Sequence, residues 1–246
     1  MRTQLAARSE LGPPPGALRG SGVAAIALTN ADIDHCAGLL VLREGGAPPI
    51  YGTEAMRRSL TEGLSILPAL SAYGPVDWRD LSGAVEITDA DGDPIGVQVT
   101  ARPLPGQAPL YVRGRTDAPP EGDHCLGLAI RVGDATVAYA PGVRALDDPL
   151  RAWLADADVV LIDGTFSVDD ELTAQGMSER TATDMGHVPL LGDAGTLAFL
   201  ERLDRPRRVL VHINNTNPIW DDPALRERVA HADVEVGYDG LEIPLR

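Results

Sequence analysis

Three short apolar runs constrain the fold of this chain more than any other feature. In residues 23–29, 159–162 and 208–213, hydrophobic residues follow one another without the polar alternation of a half-buried strand. A continuous apolar run of this length is typical of a strand buried on both faces. Such strands need a layer on each side, so the runs predict an α/β protein with helices outside two packed sheets.

Shorter patterns fill the sequence between these strands. Runs separated by turn residues predict antiparallel hairpins in the middle of the chain, and the ends alternate strands with helices. The shorter strands are predicted at residues 49–51, 84–88, 96–101, 126–132, 136–140 and 234–236. Helices are predicted at residues 37–42, 53–62 with Thr53 as N-cap, 147–156, 193–203 and 223–231, and a proline-rich loop at 103–121. We expect one domain over residues 1–246.

The charge of the chain disfavours several classes of partner and chemistry. Asp and Glu number 36 against 21 basic residues, all of them Arg, and the formal net charge is −15. A chain this acidic repels phosphate backbones, so nucleic acids and anionic membranes are not expected partners. The absence of Lys also argues against Schiff-base chemistry and Walker-type nucleotide binding.

Membrane insertion and disulfide scaffolding are not expected either. No apolar stretch approaches the roughly 18–20 residues of a membrane span, and the N-terminus has no apolar signal core. Two cysteines, Cys36 and Cys125, cannot form a disulfide framework or a four-cysteine zinc site. We therefore expect a cytoplasmic protein in which both thiols are reduced and lie in or near the core.

Polar residues follow the three buried strands, and they are the candidates for chemistry. Asp34 and His35 follow the first strand, Asp163 the second, and His212 ends the third. Two His and one Asp around one ion suit Fe(II) that activates dioxygen, and with a water they also suit hydrolytic Zn(II). The alternative is that Asp34 caps a helix and that the imidazoles are satisfied in the core. His187 lies between Gly186 and Val188 and is expected on a tight turn.

The residues at these positions resemble a known family. The segment from Leu28 to Leu40, with N-x-D-x-D-H at Asn30–His35, resembles the H-x-H-x-D-H signature of the metallo-β-lactamase superfamily. Together with L-R-E-G at 42–45, D-G-T at 163–165, M-G-H at 185–187 and V-H-I-N-N-T-N-P at 211–218, it is similar to the pyrroloquinoline quinone (PQQ) biosynthesis protein B family. The resemblance runs over nearly the whole chain.

The resemblance implies a metallo-β-lactamase-like αββα sandwich, of mixed α/β (α+β) class, with one divalent metal ion at one edge of its sheets. Asp34, His35 and His212 match the superfamily's ligands, whereas Asn30 and Asp32 replace the two His of the other metal site. In the superfamily a carboxylate usually bridges the two metal ions. Asp163 is the nearest substitute for it in this sequence, and we expect it as a further ligand. Family members start with about 55–60 further residues, so we expect this chain to lack the family's N-terminal strands.

The implied function is oxidative tailoring of a cofactor precursor. The resemblance points to a non-haem iron-dependent hydroxylase that adds oxygen to the tyrosyl ring of a Glu–Tyr-derived, dipeptide-like precursor, with Fe(II) as the metal and Zn(II) as the alternative. Asp32 and His187 are the candidates for proton transfer or orientation. Arg43 is a candidate for a substrate carboxylate, and the amides of Asn30, Asn214 and Asn215 for other substrate groups.

Two other classes of function stay open. One is a zinc-dependent hydrolase of the wider superfamily, and the other is a carrier that transports PQQ or its precursor. Other PQQ biosynthesis proteins are possible partners, and a homodimer is possible.

Overall fold

The computed structural model describes residues 2–13, 15–43, 47–113 and 123–245. The chain forms two compact units. The first unit comprises Met1–Pro103 and Gln107–Leu126, and the second comprises Leu104–Gly106 and Gly127–Arg246. A single domain over 1–246 stays a prediction. Among the described residues, no helix combines the length and the apolarity needed to span a membrane.

The first unit contains a small parallel sheet, a hairpin and short helices. Strands β1 (Ile26–Ala27), β2 (Ile50–Gly52) and β3 (Trp78–Asp80) form the parallel sheet in that order, and β4 (Ala84–Thr88) pairs antiparallel with β5 (Pro94–Pro103). The α-helices are α1 (Arg2–Ala7), α2 (Ile33–Cys36), α3 (Glu54–Arg58) and α4 (Ile66–Ser71). The 3-10 helices Ser9–Leu11 and Ala37–Leu42 and the π-helix Ser59–Gly63 complete the unit.

The sequence predicts these elements unevenly. Thr53 caps α3 as predicted, because its side chain accepts a hydrogen bond from the Met56 amide at 3.2 Å. The strand predicted over 23–29 is much shorter, since only Ile26 and Ala27 are register partners of the three-residue strand β2, and the Leu28 amide adds one hydrogen bond to it. Asp34 and His35, the polar residues after this predicted strand, lie on helix α2. Helices α1 and α4 and strand β3 were not predicted.

The second unit is built on strands β6 to β10. Strands β7 (Ala135–Ala140), β8 (Val159–Asp163), β9 (Arg207–Val211) and β10 (Glu235–Val236) pair in parallel, and β6 (Leu126–Val132), whose first residue belongs to the first unit, pairs antiparallel with β7. Its helices are α5 (Asp148–Ala155), α6 (Ala182–Met185), α7 (Thr196–Leu200), α8 (Pro223–His231) and the 3-10 helix Pro218–Trp220. The predicted alternation of strand and helix is therefore confirmed here.

One face of this sheet carries the core of the second unit. Val160 and Ile162 of β8 and Leu210 of β9 alternate onto the same side and are fully buried. They pack against apolar side chains of α5, α7 and α8, among them Leu150, Leu154, Leu197, Phe199, Leu200, Leu225 and Val229. Burial of a side chain of this size contributes about 1.5–3 kcal/mol, so this face fixes where the strand ends lie.

The helix predicted in the second half needs correction, one helix there was not predicted, and one loop predicted earlier in the chain lies partly outside the described residues. The helix predicted over 193–203 is only Thr196–Leu200, because Gly195 is extended and a side chain there would meet the Leu190 carbonyl at 2.6 Å. Helix α6 was not predicted within the polar stretch before His187. The loop predicted at 103–121 lies partly outside the described residues, at 114–121.

Candidate metal centre

The candidate centre of the second unit lies where β8 and β9 end. Asp163 is the last residue of β8, and its register partner on the neighbouring strand is Val211, the last residue of β9. His212 follows at once. Because the two strands are parallel neighbours, their carboxyl ends place Asp163 and His212 side by side. The apolar runs that predicted the strands therefore also position these two groups.

Asp163 is a buried carboxylate whose oxygens are fully engaged. Its exposed fraction is 1%. Oδ1 accepts hydrogen bonds from the Thr165 amide at 3.0 Å and the Thr165 hydroxyl at 2.5 Å. Oδ2 accepts from the Val143 amide at 2.9 Å and pairs with Nδ1 of His187 at 2.7 Å. A buried charge needs partners of this kind, and here all come from the same unit.

His212 is held in an unusual backbone conformation. Its φ is +57°, in the left-handed region that residues other than glycine seldom adopt. Thr165 Oγ1 lies 2.7 Å from Nδ1 of His212 and 2.9 Å from its carbonyl oxygen, so one side chain contacts both the ring and the backbone. Strained backbone of this kind persists where the surroundings over-determine it, which is common at functional sites.

His187 reaches the same place from α6. Thr181 and Asp184 form a capping box at the start of this helix, and Gly186 ends it with φ +99°. The turn directs the His187 ring to Asp163, and the ring stacks on that of His212 with centroids 5.4 Å apart. The tight turn predicted for the Met-Gly-His motif is thus confirmed.

The loops after β8 and β9 are tied to each other. Asn217 donates from Nδ2 to the carbonyls of Gly164 at 3.0 Å and Thr165 at 3.2 Å. The buried carboxylate of Glu171 accepts from the Thr216 hydroxyl at 2.8 Å and from the Ser167 amide at 2.7 Å. The amide-rich run after His212 therefore stabilises the loop that carries Thr165.

The side chains of this cluster suit a divalent ion. One donor atom each from Asp163, His187 and His212 lie within 4.8 Å of one another. Imidazole nitrogens with a carboxylate are ligands that both Fe(II) and Zn(II) accept. The histidine nitrogens of the second unit therefore suit the divalent metal ion that the sequence predicts.

The other predicted ligands belong to the first unit. Asp34 and His35 lie on α2, with Asp34 Oδ2 3.7 Å from His35 Nε2. The Asp34 side chain is 72% exposed and that of His35 is 14% exposed. Asp32 precedes the helix, and its amide donates to Oδ1 of Asn30 at 3.2 Å. That Asp34 and His35 share one ion with His212 stays a prediction, as do the roles of Asn30 and Asp32.

The predicted substrate contacts are more scattered. Arg43 is exposed, donates to the Leu40 carbonyl at 3.1 Å and lies over the ring of Tyr73. Asn214 uses its side chain internally, donating to Thr216 Oγ1 at 2.8 Å and accepting from the Asn215 amide at 3.0 Å. The Asn215 side chain is exposed. Substrate binding by these residues stays a prediction.

Sequence reasoning missed Thr165. It contacts Asp163, His187 and His212 at once, yet Thr is common and gives no signal by type. Its position two residues after an Asp at a strand end was the available clue, since an Asp side chain often closes a turn onto the amide two residues on.

A cavity of about 700 Å³ lies beside His212 in the second unit. Its walls are largely apolar and include Leu161, Val209, Ile213, Trp220, Leu241 and Ile243, with Tyr238 and Asp239 as polar members. A volume of this size is typical of small-molecule sites.

Comparisons with known proteins show the family of this chain. The family model described as Beta-lactamase superfamily domain matches residues 1–213. Coenzyme PQQ synthesis protein B of Rhizobium meliloti is 39% identical over 234 residues, which is 94% of this chain and 75% of that protein. This chain belongs to the coenzyme PQQ synthesis protein B family. The protein of the same name from Cupriavidus necator is 41% identical, over 94% of this chain and 76% of that protein.

Solved structures confirm the metallo-β-lactamase fold. The Zn²⁺-bound PqqB of Methylobacterium extorquens matches with a TM-score of 0.85 and 32% identity, over 99% of this chain and 80% of that chain. A diphosphatase from the PhnP family matches at 0.57 with 20% identity, over 91% of this chain and 72% of that chain. The second likeness concerns the fold alone. A metal-binding role for this PQQ synthesis protein B family member is supported by the first structure and by the second unit's cluster.

Proposed function

We propose that this chain hydroxylates the tyrosyl ring of a Glu–Tyr-derived precursor during PQQ synthesis, using dioxygen and one divalent metal ion. The proposed ligands are Asp34, His35 and His212. The observation that supports the proposal is that the proposed ligand His212 lies beside the proposed acid–base group His187, and that both lie next to the buried Asp163 carboxylate, in a chain of this family. When bound, Fe(II) would supply the one-electron chemistry by which dioxygen reacts.

The reaction balances with a reductant. One oxygen atom of dioxygen enters a ring C–H bond as hydroxyl, and the other leaves as water, taking up two protons and two electrons. The electrons come from a small-molecule reductant. The residues of the chain bind and orient the ring and move the protons.

His187 is the proposed acid–base group. The 2.7 Å contact with Asp163 orients the imidazole through Nδ1, so Nε2 is the atom that exchanges a proton with the substrate. Asp32 is proposed to orient His35 or to accept a ring proton. The apolar cavity beside His212 supports an aromatic substrate, because its walls suit a ring rather than a phosphate.

Turnover with a Glu–Tyr-derived precursor tests the proposal. The metal-free chain is reloaded with Fe(II) or Zn(II), and hydroxylated product and dioxygen uptake are measured with and without oxygen. We expect product only with Fe(II) and dioxygen, with Zn(II) inhibitory. Asp34→Ala should lose hydroxylation and most metal affinity, and Asp32→Asn should keep the metal but react more slowly. Anaerobic turnover, or equal rates with Zn(II), would contradict the proposal.

A zinc-dependent hydrolase is the second candidate. It is favoured by one observation, that the solved Methylobacterium extorquens relative is described as Zn²⁺-bound. In that case the Zn(II)-loaded chain would cleave an ester, lactone or phosphodiester bond without oxygen. Binding of the precursor or of PQQ without any turnover would instead indicate a carrier.

A further inference from the structure

The hydroxyl of Thr165 lies at the centre of four polar contacts. Its Oγ1 is 2.5 Å from Asp163 Oδ1, 2.7 Å from His212 Nδ1, 2.9 Å from the His212 carbonyl and 3.1 Å from His187 Nδ1. A hydroxyl has one proton to donate and two lone pairs with which to accept. Only one of these neighbours can therefore receive the Thr165 proton.

The carboxylate is the favoured acceptor of that proton. Asp163 is buried, carries a charge and is the nearest of the four neighbours, and hydrogen bonds to ionised acceptors are about twice as strong as neutral ones. With its proton directed to Asp163, the Thr165 oxygen acts as an acceptor towards the His212 ring. Nδ1 of His212 must then carry a proton to complete the 2.7 Å contact.

The His187 ring is held in the same tautomer by a direct contact with Asp163. Its Nδ1 lies 2.7 Å from Asp163 Oδ2, so it donates directly to the carboxylate. One buried carboxylate thus reaches two imidazoles, His187 directly and His212 through Thr165. In both rings the remaining lone pair is on Nε2, which is the atom that a ligand or a general base would use.

We propose that Thr165 is a positioning residue that relays the Asp163 carboxylate to His212 and holds the His212 ring in its Nδ1–H tautomer. The inference rests on the proposed function only in taking His212 as a metal ligand. It also gives Asp163 a positioning role in place of the ligand role, since all four of its acceptor positions are used within the unit. An imidazole preset in this way meets the ion through Nε2 without rearrangement.

Nitrogen NMR of the metal-free chain tests the relay directly. Long-range ¹H–¹⁵N spectra separate protonated from unprotonated ring nitrogens, and His187→Gln and His212→Gln assign the signals. We expect both rings to carry the proton on Nδ1. A wild-type spectrum with the proton on Nε2 of His212 would overturn the proposal without any Thr165 variant.

Thr165→Val and Thr165→Ser form the matched pair of variants. Val keeps the shape but removes the hydroxyl, so His212 should shift towards its Nε2–H tautomer while His187, bonded directly to Asp163, keeps its proton on Nδ1. Ser should restore the wild-type spectrum. The His187 signals therefore report that the Val variant is folded, and an unchanged His212 in that variant would refute the relay.

Metal affinity supplies a second readout. Titration with Zn(II) as the probe should give about 10–100-fold weaker binding for Thr165→Val and wild-type binding for Thr165→Ser, the size typical of residues that orient ligands. Equal affinity in the Val variant would overturn the role toward the metal. These results are independent of turnover, so a chain that fails to hydroxylate can still confirm the relay.

Discussion

The candidate ligands of the two units differ in their burial and in their hydrogen bonding. In the second unit, Asp163 is buried and accepts four hydrogen bonds, and His187 and His212 approach it from the end of α6 and the end of β9. In the first unit, Asp34 is mostly exposed and lies with His35 on a four-residue helix. The contrast is between the two carboxylates, Asp163 buried and Asp34 exposed, since the imidazoles of His35, His187 and His212 are all partly buried.

This difference separates two contributions that candidate ligands can make, one to the stability of the folded chain and one to the binding of the ion. Groups that are buried and hydrogen-bonded are ordered before any ion binds, and they contribute to the stability of the unit. Exposed groups on a short helix contribute little to stability, and their contribution comes when an ion binds. Substitutions in the two units should therefore separate stability from metal affinity.

The largest expected effect is at His212. His212→Ala removes the one proposed ligand of the second unit, and two remaining protein ligands seldom hold a divalent ion. We expect Zn(II) affinity to fall by at least about 100-fold in a calorimetric titration. His231→Ala, at the exposed end of α8, is the control and should bind as the wild type does. Unchanged affinity of the His212 variant would show that the ion binds elsewhere.

Asp163→Ala and Asp34→Ala should separate the two units by stability. Removal of the buried carboxylate leaves the amides of Val143 and Thr165 without an acceptor, and we expect a loss of about 2–4 kcal/mol in the free energy of unfolding. Asp34→Ala should change it by no more than about 0.5 kcal/mol. Urea unfolding of the metal-free chain measures both values, and similar losses in the two variants would remove the contrast.

Gly186→Ala tests whether the turn before His187 is needed. The left-handed backbone at φ +99° disfavours any side chain, so we expect a loss of about 1–2 kcal/mol. Gly142→Ala is the matched control, because nothing lies within 4 Å of its added methyl group and its φ is not in that region. Equal stability of the two variants would mean that the turn tolerates another conformation.

The smallest effect is expected at Cys36. Burial raises the pKa of this thiol to about 12, with the carboxylates of Asp32 and Asp34 adding to the rise. Cys36→Ser should cost less than about 1 kcal/mol and leave the metal content unchanged, since the thiol donates to the Asp32 carbonyl at 2.9 Å and Ser retains a donor. Loss of metal in this variant would identify the thiol as a ligand.

The same pKa shift predicts how stability and reactivity vary with pH. A raised pKa means that folding favours the protonated thiol, so its contribution is present below pH 9 and is lost as the pH rises towards 12. Alkylation of the Cys36 thiol by iodoacetamide at pH 8 should be much slower in the folded chain than in the chain unfolded in urea. A folded chain alkylated as fast as the unfolded one would contradict the shift.

The sequence predicts the second unit better than the first for a physical reason. Continuous apolar runs report burial on both faces, and β8 and β9 have neighbours along their whole length, so their ends and the polar residues there follow from the pattern. Strand β1 pairs with β2 in register over two residues only, and a hydrogen bond from the Leu28 amide to the Tyr51 carbonyl ends the pairing. Local sequence does not record how long a partner strand is.

Prediction of the candidate site from the sequence has the same limit, because local sequence does not contain long-range contacts. The positions of Asp163, His187 and His212 could be predicted because each is a rare or charged residue at a strand end or a tight turn. Thr165 and the buried Glu171 could not, since their roles depend on contacts with residues 45 or more positions away, Thr216 for Glu171 and His212 for Thr165. Such contacts are set by strand register and loop packing, which composition and spacing do not contain.

The number of metal ions bound per chain tests the central claim most directly. We propose one ion, held by Asp34, His35 and His212, because the resemblance to the superfamily places Asn30 and Asp32 at the positions of the two His of another metal site. Elemental analysis of the wild type, of Asp34→Ala and of His212→Ala, each reloaded with Fe(II) or Zn(II) and freed of excess metal, should give one ion for the wild type and close to none for the variants. Two tightly bound ions in the wild type, or one ion retained by either variant, would contradict it.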